Sequence, residues 1–350
     1  MALQTSTTPS PPDSPIQGPV LQGDQAMRVT PVVEHTNLLQ DYPDDTEELD
    51  LNHARLRDME QLGLERFTHL KFLGLRQNLL SEIKGLDLLT ELTELELYDN
   101  RIGEVKGLNH LTRLTNLDLS YNLIRRIEHL EQLTQLENLY FASNKITTIQ
   151  NLDTFTQLRM VELGSNRIRT IEGLDALVNL EELYLGKNKI RRLENLDRLH
   201  NLRILSIQSN RITKLEGLDK LTNLEHLFLD HNGITKIEGL EHNRKLLTLD
   251  LGNNFVEKLE NIEHLTDLTD LWLSSNKLDS LPDVERCCKP LVNLETIYLE
   301  GNPLQTHQGA TYRLKVKLAV PQISQIDATY CLPAEVQAVK DTVHPPSASQ

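Results

Sequence analysis

Acids and aromatics return along this chain at a fixed interval. Asp118, Tyr140, Glu162, Tyr184, Phe228, Asp250 and Trp272 fall on one 22-residue register, and Tyr298 joins it after a step of 26. Aligned side chains of these types do recognition chemistry: rings anchor by burying apolar area, and carboxylates between them pair with Lys or Arg of a basic partner. Catalytic chemistry finds no comparable assembly. There is no Gly-x-Ser-x-Gly, phosphate-binding Gly loop, His-Glu-x-x-His or Cys-x-x-Cys. The 12 His are scattered, and the three cysteines, Cys287, Cys288 and Cys331, have neither paired nor metal-ligand spacing. An acid pair such as Asp118 with Glu162 arises automatically in a repeated column and signals no hydrolytic site. The expectation is a binding protein rather than an enzyme, with no cofactor and no metal.

A repeat must position these residues. Ten asparagines, from Asn78 to Asn276, stand 22 residues apart, and Asn302 follows after 26. Ahead of each runs one pattern, as in Leu92-x-x-Leu95-x-Leu97-x-x-Asn100 and Leu180-x-x-Leu183-x-Leu185-x-x-Asn188. This is the leucine-rich-repeat consensus. With a degenerate first unit around Leu49, Leu51 and Leu56, the count is about twelve. The fold expected is an α/β repeat, a solenoid with a parallel β-sheet on its concave face and short helical turns on its convex face. Each Asn amide serves backbone groups where the chain turns inward. Ile168, Ile171 and Leu174 typify the return path. The extra residues Arg286 to Lys289 are expected to bulge from the convex side as a tolerated insertion rather than a redox site.

Four regions follow: a disordered acidic tail over 1–47, the solenoid over 48–304, a C-terminal cap over 305–332 and a flexible tail over 333–350. The first is rich in Pro, Ser and Thr and then acidic, with too little apolar surface to offset ordering entropy. The cap segment, with Tyr312, Val316, Ile323 and Ile326, mixes apolar and polar residues as an end piece must.

In a solenoid the residue between the two strand leucines faces solvent. That column reads Gly74, Glu96, Asp118, Tyr140, Glu162, Tyr184, Ser206, Phe228, Asp250, Trp272 and Tyr298. Five of the chain's 15 aromatics sit in it, a concentration that points to a binding patch rather than to cross-strand packing alone. Glu94, Glu182, His226 and Asp270 two places earlier, and Tyr98 and Asp230 two places later, keep the face acidic. Basic residues lie elsewhere: Arg101, Lys145, Arg167, Lys189, Arg211 and Lys277 follow their Asn directly, and Arg192, Lys214, Lys236 and Lys258 come four after it. With Glu194, Glu216, Glu238 and Glu260 two places beyond the latter, these read as a solvated charge ladder.

The chain's 350 residues carry a formal charge of −15, which sets it against nucleic acid as its main partner. No apolar run approaches the roughly 18 residues of a membrane span, and the first residues lack the basic and apolar regions of a signal peptide. An intracellular, reducing setting is expected, with no membrane partner.

The 22-residue units, the run Leu73-Gly-Leu-Arg-Gln-Asn78, the run Glu162-Leu-Gly-Ser-Asn-Arg-Ile-Arg169, and Tyr298-Leu-Glu-Gly-Asn-Pro-Leu-Gln305 with Gln325-Ile-Asp-Ala-Thr329 resemble the leucine-rich-repeat regulatory subunit 7 family of protein phosphatase 1. The resemblance covers about residues 48–331. It implies a non-catalytic protein whose concave face grips the phosphatase catalytic subunit and controls its maturation, localisation and activity. The family's binding positions carry over to Asp118, Tyr140, Glu162, Tyr184, Asp250, Asp270, Trp272 and Tyr298. Tyr140 and Tyr184 stand where the family often has Phe, and Asp270 where Glu is common. No Arg/Lys-Val-x-Phe docking peptide occurs. The resemblance further implies phosphatase inhibitor 3 as a third partner, nuclear and cytoplasmic presence, and a role in chromosome segregation. The competing reading is a repeat scaffold for another nuclear or cytoskeletal assembly, such as a small nuclear ribonucleoprotein component.

Overall fold

Side chains alternate across a strand, so Leu-x-Leu sends both leucines to one face and the residue between them to the other. The computed structural model, which describes residues 38–60 and 62–343, turns this rule into a sheet. Each repeat supplies one three-residue strand, from β1 (Glu48–Asp50) to β12 (Thr296–Tyr298), and these twelve pair in parallel in chain order. Register never slips: Leu95 lies opposite Leu117, Leu117 opposite Leu139, and Leu183 opposite Leu205. Equivalent positions therefore stack, and each coil buries the same set. In one repeat Ile168, Ile171, Leu174, Leu177, Leu180, Leu183 and Leu185 are all buried. A lone coil would leave one side of that set in water, so the core exists only between neighbours.

The ladder Asn binds the stack through its amide. Asn188 Nδ2 donates to the carbonyls of Leu163 at 2.9 Å and Leu185 at 3.1 Å, while its Oδ1 accepts from Ile168 N at 2.9 Å. Asn100, Asn122, Asn144 and Asn166 repeat this arrangement. Two backbone positions per repeat turn left-handed. The residue just before the ladder Asn has φ near 55° in, for example, Ser165, Ser209 and Ser275. Seven residues after the Asn the column reads Gly or Asn in most repeats and His at His129, with Gly173 at φ 67°, Asn195 at φ 59° and His129 at φ 60°. A Cβ on Gly173 would lie 2.7 Å from the Ile149 carbonyl. Where Asn replaces Gly it compensates: Asn151, Asn195 and Asn261 each donate Nδ2 to the preceding repeat's carbonyl at 2.7 Å.

The return path takes the short turns expected of it. Leu177 N donates to Leu174 O and Leu180 N to Leu177 O, both at 3.0 Å, giving two successive tight turns rather than a continuous helix. Twenty-two residues leave no length for more. The insertion departs from expectation. Arg286 to Lys289 do not bulge as a loop but close helix α1 (Leu281–Cys288), with Ser280 Oγ accepting from Asp283 N at 3.2 Å at its start. Val284, Cys287 and Cys288 share its buried face. Burial pushes the Cys287 thiol up to about 12, which suits a packing role rather than a reactive one.

The cap comprises α2 (Pro303–Gln308), α3 (Tyr312–Ala319), β13 (Gln325–Ile326) and β14 (Thr329–Tyr330). β13 adds to β12 in parallel and β14 returns antiparallel, which ends the sheet. Asp327, next in register after Tyr298, supplies a carboxylate where a further strand would supply a carbonyl: its Oδ1 accepts from Leu299 N at 2.8 Å, and the Tyr312 hydroxyl donates to its Oδ2 at 3.0 Å. Both tails need correction where they are described. Residues 333–343 are not a flexible tail but helix α4 (Pro333–Val343), tied to α3 by Arg313 Nε and Glu335 Oε1 at 3.0 Å. In the N-terminal stretch, Leu39 is buried, Arg66 pairs with Asp44, and Lys71 meets Glu47 at 2.7 Å, so residues 39–47 pack against the first repeats. The rest of the expected disordered tail, residues 1–37, and residues 344–350 lie outside the described residues. Among the described residues no helix is long and apolar enough to cross a membrane.

Candidate protein-binding face of the sheet

Parallel register brings the column together as the repeat predicts. Asp118 lies opposite Tyr140, Tyr140 opposite Glu162, Glu162 opposite Tyr184, Phe228 opposite Asp250, Asp250 opposite Trp272, and Trp272 opposite Tyr298. All eight side chains are half-buried, and Asp270, two places ahead of Trp272, shares that exposure. Acids and rings therefore alternate at strand spacing, roughly 4.8 Å.

The C-terminal half is an aromatic cluster. His226 stacks parallel on Phe228 with centroids 6.3 Å apart, and Trp272 meets Tyr298 edge to face at 6.1 Å. Phe228 and Trp272 sit two strands apart, yet their rings close to 6.1 Å across the strand of Asp250. Desolvation there pushes the Asp250 carboxyl up to about 6, against the pull of a hydrogen bond from Gly252 N at 2.9 Å. The Trp272 indole Nε1 is buried with no hydrogen-bond partner.

The central strands repeat the theme with tyrosines. Burial raises the Glu162 pKa, offset only by Gly164 N donating at 2.5 Å. Burial likewise raises both phenols, and Tyr184 donates its hydroxyl to Glu182 Oε2 at 2.7 Å. Asp118 accepts from Ser120 N at 2.9 Å, and Asp270 Oδ2 accepts from Thr269 Oγ1 at 2.7 Å. None of Asp118, Glu162, Asp250 and Asp270 forms an ion pair with a described residue.

Two features of this face were not anticipated. Arg76 pairs with Glu96, so this acid of the column is already neutralised. Beside it a depression of about 450 Å³ is lined by Asn52, His53, Arg76, Gln77, Tyr98 and Asp118, with Tyr98 packed on Tyr121 at 4.8 Å. Tyr121 occupies the left-handed position before Asn122, at φ 56°, and its spacing alone marks a turn rather than a surface ring. Glu104, Glu128 and His129 bring possible ligand atoms within 4.8 Å of one another, but Lys106 already engages Glu104 at 3.4 Å and the group lies away from the sheet. It reads as surface charge.

The family model for leucine-rich repeats matches in seven overlapping windows that together run from residue 90 to 264, half of the chain. Among curated proteins, protein phosphatase 1 regulatory subunit SDS22 of Schizosaccharomyces pombe is 62% identical over 39 residues, covering 11% of this chain and 12% of that protein. The Saccharomyces cerevisiae protein of the same name is 49% identical over 52 residues, 15% of each chain. Protein phosphatase 1 regulatory subunit 7 of Homo sapiens is 58% identical over 38 residues, covering 11% of this chain and 10% of that one. The matches thus span about an eighth of these relatives, and they fall in the family that the sequence resembles. Among solved structures, an internalin from Listeria monocytogenes superposes with a TM-score of 0.74 at 22% identity, over 87% of this chain and 91% of that one. A leucine-rich-repeat protein of Leptospira interrogans gives 0.59 at 25%, over 81% and 84%. These two share the fold.

Proposed function

The chain belongs to the leucine-rich-repeat family, and from that footing we propose that it is a non-catalytic regulatory subunit of Ser/Thr protein phosphatase 1, binding the catalytic subunit through the acidic and aromatic face of its sheet. One observation carries this reading: the face holds carboxylates without a cation and an indole N–H without an acceptor in one line. Among the described residues Asp118, Glu162, Asp250 and Asp270 have no cation partner, and Trp272 Nε1 has no acceptor, within a row of half-buried rings. Such groups cost free energy in the isolated protein and gain it against a partner that supplies Lys or Arg, an acceptor and apolar cover. The relatives' names supply the identity of that partner.

On this reading Trp272, Tyr184 and Tyr140 are anchors, and the four carboxylates orient a basic surface of the phosphatase. Control of maturation, localisation and activity then follows from occupying one side of the enzyme, with inhibitor 3 able to join as a third component. Titration calorimetry of the full chain against purified phosphatase 1 catalytic subunit is the test. Trp272→Ala should weaken binding by about 2–4 kcal/mol while the far-ultraviolet circular dichroism spectrum is retained. Undiminished affinity in a folded Trp272→Ala, Glu162→Ala double variant would refute the face, and absence of binding by the unaltered chain would refute the partner.

A further inference from the structure

The structure separates the basic residues into two groups that the sequence read alike. Four places after the ladder Asn, most of the cations are held: Arg192 meets Glu216 at 3.1 Å, Lys214 meets Glu216 at 3.5 Å, and Lys258 meets Glu260 at 3.5 Å. One and three places after it, Lys145, Arg167, Arg169, Lys189, Arg191 and Arg211 make no side-chain hydrogen bond or ion pair with any described residue.

These six stand together on one edge of the solenoid. Lys145 N, Arg167 N, Lys189 N and Arg211 N each donate at 2.8 Å to the preceding repeat, to the carbonyls of Ile124, Ile146, Ile168 and Ile190. Ile146, Ile168, Ile190 and Ile212, which follow each of them, are fully buried, so the residues on either side of each point outward. Thr147 and Thr213 fill the two remaining outward places, and no acid interrupts the grid. It is about 15 Å long, at ~4.8 Å per repeat, and about 7 Å wide, at ~3.3 Å per residue. Toward the return path the acids Glu194 and Glu216 follow, while toward the sheet Ser143, Ser165, Lys187 and Ser209 intervene before the acids of the face, Glu162 and Glu182.

We infer that this stripe docks an extended Asp/Glu-rich segment of another protein. Six adjacent like charges repel, in a chain whose net charge of −15 shows no shortage of acids to place there. The narrow width suits a single extended strand. A duplex, whose phosphate rows stand ~12 and ~6 Å apart across its grooves, would press phosphates against the bordering acids. The cations are spread at repeat spacing rather than converging on a point, which matches carboxylates distributed along a peptide better than one phosphate dianion. The occupant is not supplied by this chain's remaining residues: 1–37 contain only Asp13, Asp24 and Glu34 as acids, and 344–350 contain none. The inference is independent of the sheet face and its partner.

Fluorescence anisotropy of the full chain with a fluorescein-labelled Glu/Asp-rich peptide is the direct test. Saturable binding should weaken on the order of tenfold in Arg167→Gln/Lys189→Gln/Arg191→Gln and fall with added salt. All three side chains are at the surface, so the thermal transition should be unchanged. Arg192→Gln/Lys258→Gln, in the paired column, and Trp272→Ala, on the sheet face, should each leave peptide affinity within about twofold. Loss in Trp272→Ala instead would assign the peptide to the sheet face. Equal affinity in the triple variant, absence of binding by the unaltered chain, or tighter binding of a phosphoserine peptide or a single-stranded oligonucleotide at the same salt would each overturn the proposal.

Discussion

Substituting Asn188 isolates what the ladder contributes. Of its three acceptors, each keeps another donor when the side chain is cut to Ala: Leu163 O retains Asn166 Nδ2 at 3.0 Å, Leu185 O retains Asn210 Nδ2 at 2.9 Å, and Gly186 O retains Ser165 N at 2.7 Å. Only Ile168 N, which donates to Asn188 Oδ1 at 2.9 Å, loses its partner. One buried, orphaned N–H costs about 1–3 kcal/mol, and the vacated volume adds about 1 more. Asn188→Ala should therefore lose about 2–4 kcal/mol, with no dependence on pH between about 5 and 8. Asn188→Asp makes the opposite trade. It keeps the acceptor for Ile168 N but turns a second oxygen toward the Leu163 and Leu185 carbonyls, 2.9 and 3.1 Å from the present nitrogen. Only the protonated acid can donate there, so burial must raise its pKa. The sign follows: a raised folded-state pKa gives stability present at low pH and lost as pH rises through it. Asn188→Asp should match or exceed the Ala variant at pH 5 and fall below it at pH 8. Urea denaturation followed by circular dichroism at both pH values decides this. An Asp variant as stable as the Ala variant at pH 8, or insensitive to pH, would refute the account of the amide.

Asp250→Asn should stabilise the free protein at pH 7. The carboxyl is held at about 6 against an ordinary 3.8, a penalty on the order of 2–3 kcal/mol when ionised, so the gain should vanish as pH falls through 6 toward 4 in thermal melts. A cationic partner would draw that pKa back down, and phosphatase affinity of the unaltered chain should fall between pH 7 and pH 5 in calorimetry, a fall that Asp250→Asn removes. Gly173→Ala should cost about 2 kcal/mol, since it forces an L side chain into a left-handed turn against the Ile149 carbonyl. Gly173→Asn should cost less, because Asn151 and Asn195 occupy that turn in other repeats and donate across it; comparison of the two melts checks this.

Legibility divided by the kind of contact. The ladder Asn, the strand leucines and the column of acids and rings were readable, because each meets its own equivalent 22 residues away and self-alignment displays that relation directly. The Gly/Asn column of Gly173, Asn195 and Gly217 was also displayed, but its meaning is a positive φ, which residue spacing does not state. The sequence offset of Arg286 to Lys289 suggests a loop, whereas Ser280 capping Asp283 and the buried run Val284, Cys287 and Cys288 make a helix of the longer segment. The described end of the C-terminal tail differs from expectation because Glu335 accepts from Arg313 of α3 and from Leu332 N, contacts between unlike residues that self-alignment of a repeat does not display.

The sequence by itself determined the period, and with it a parallel sheet in strict register and a face of alternating acids and aromatics. These follow from local alternation multiplied by repetition, so one coil specifies all. Side-chain ends meeting in three dimensions set the rest: the Phe228 and Trp272 rings close over the strand of Asp250, its carboxyl is desolvated, Arg76 neutralises Glu96, and Arg192 is paired while Arg191 has no partner among the described residues. Those outcomes depend on where side-chain ends meet across repeats and how much water they exclude. Two residues of the same type, one position apart, can therefore differ completely in what they offer a partner.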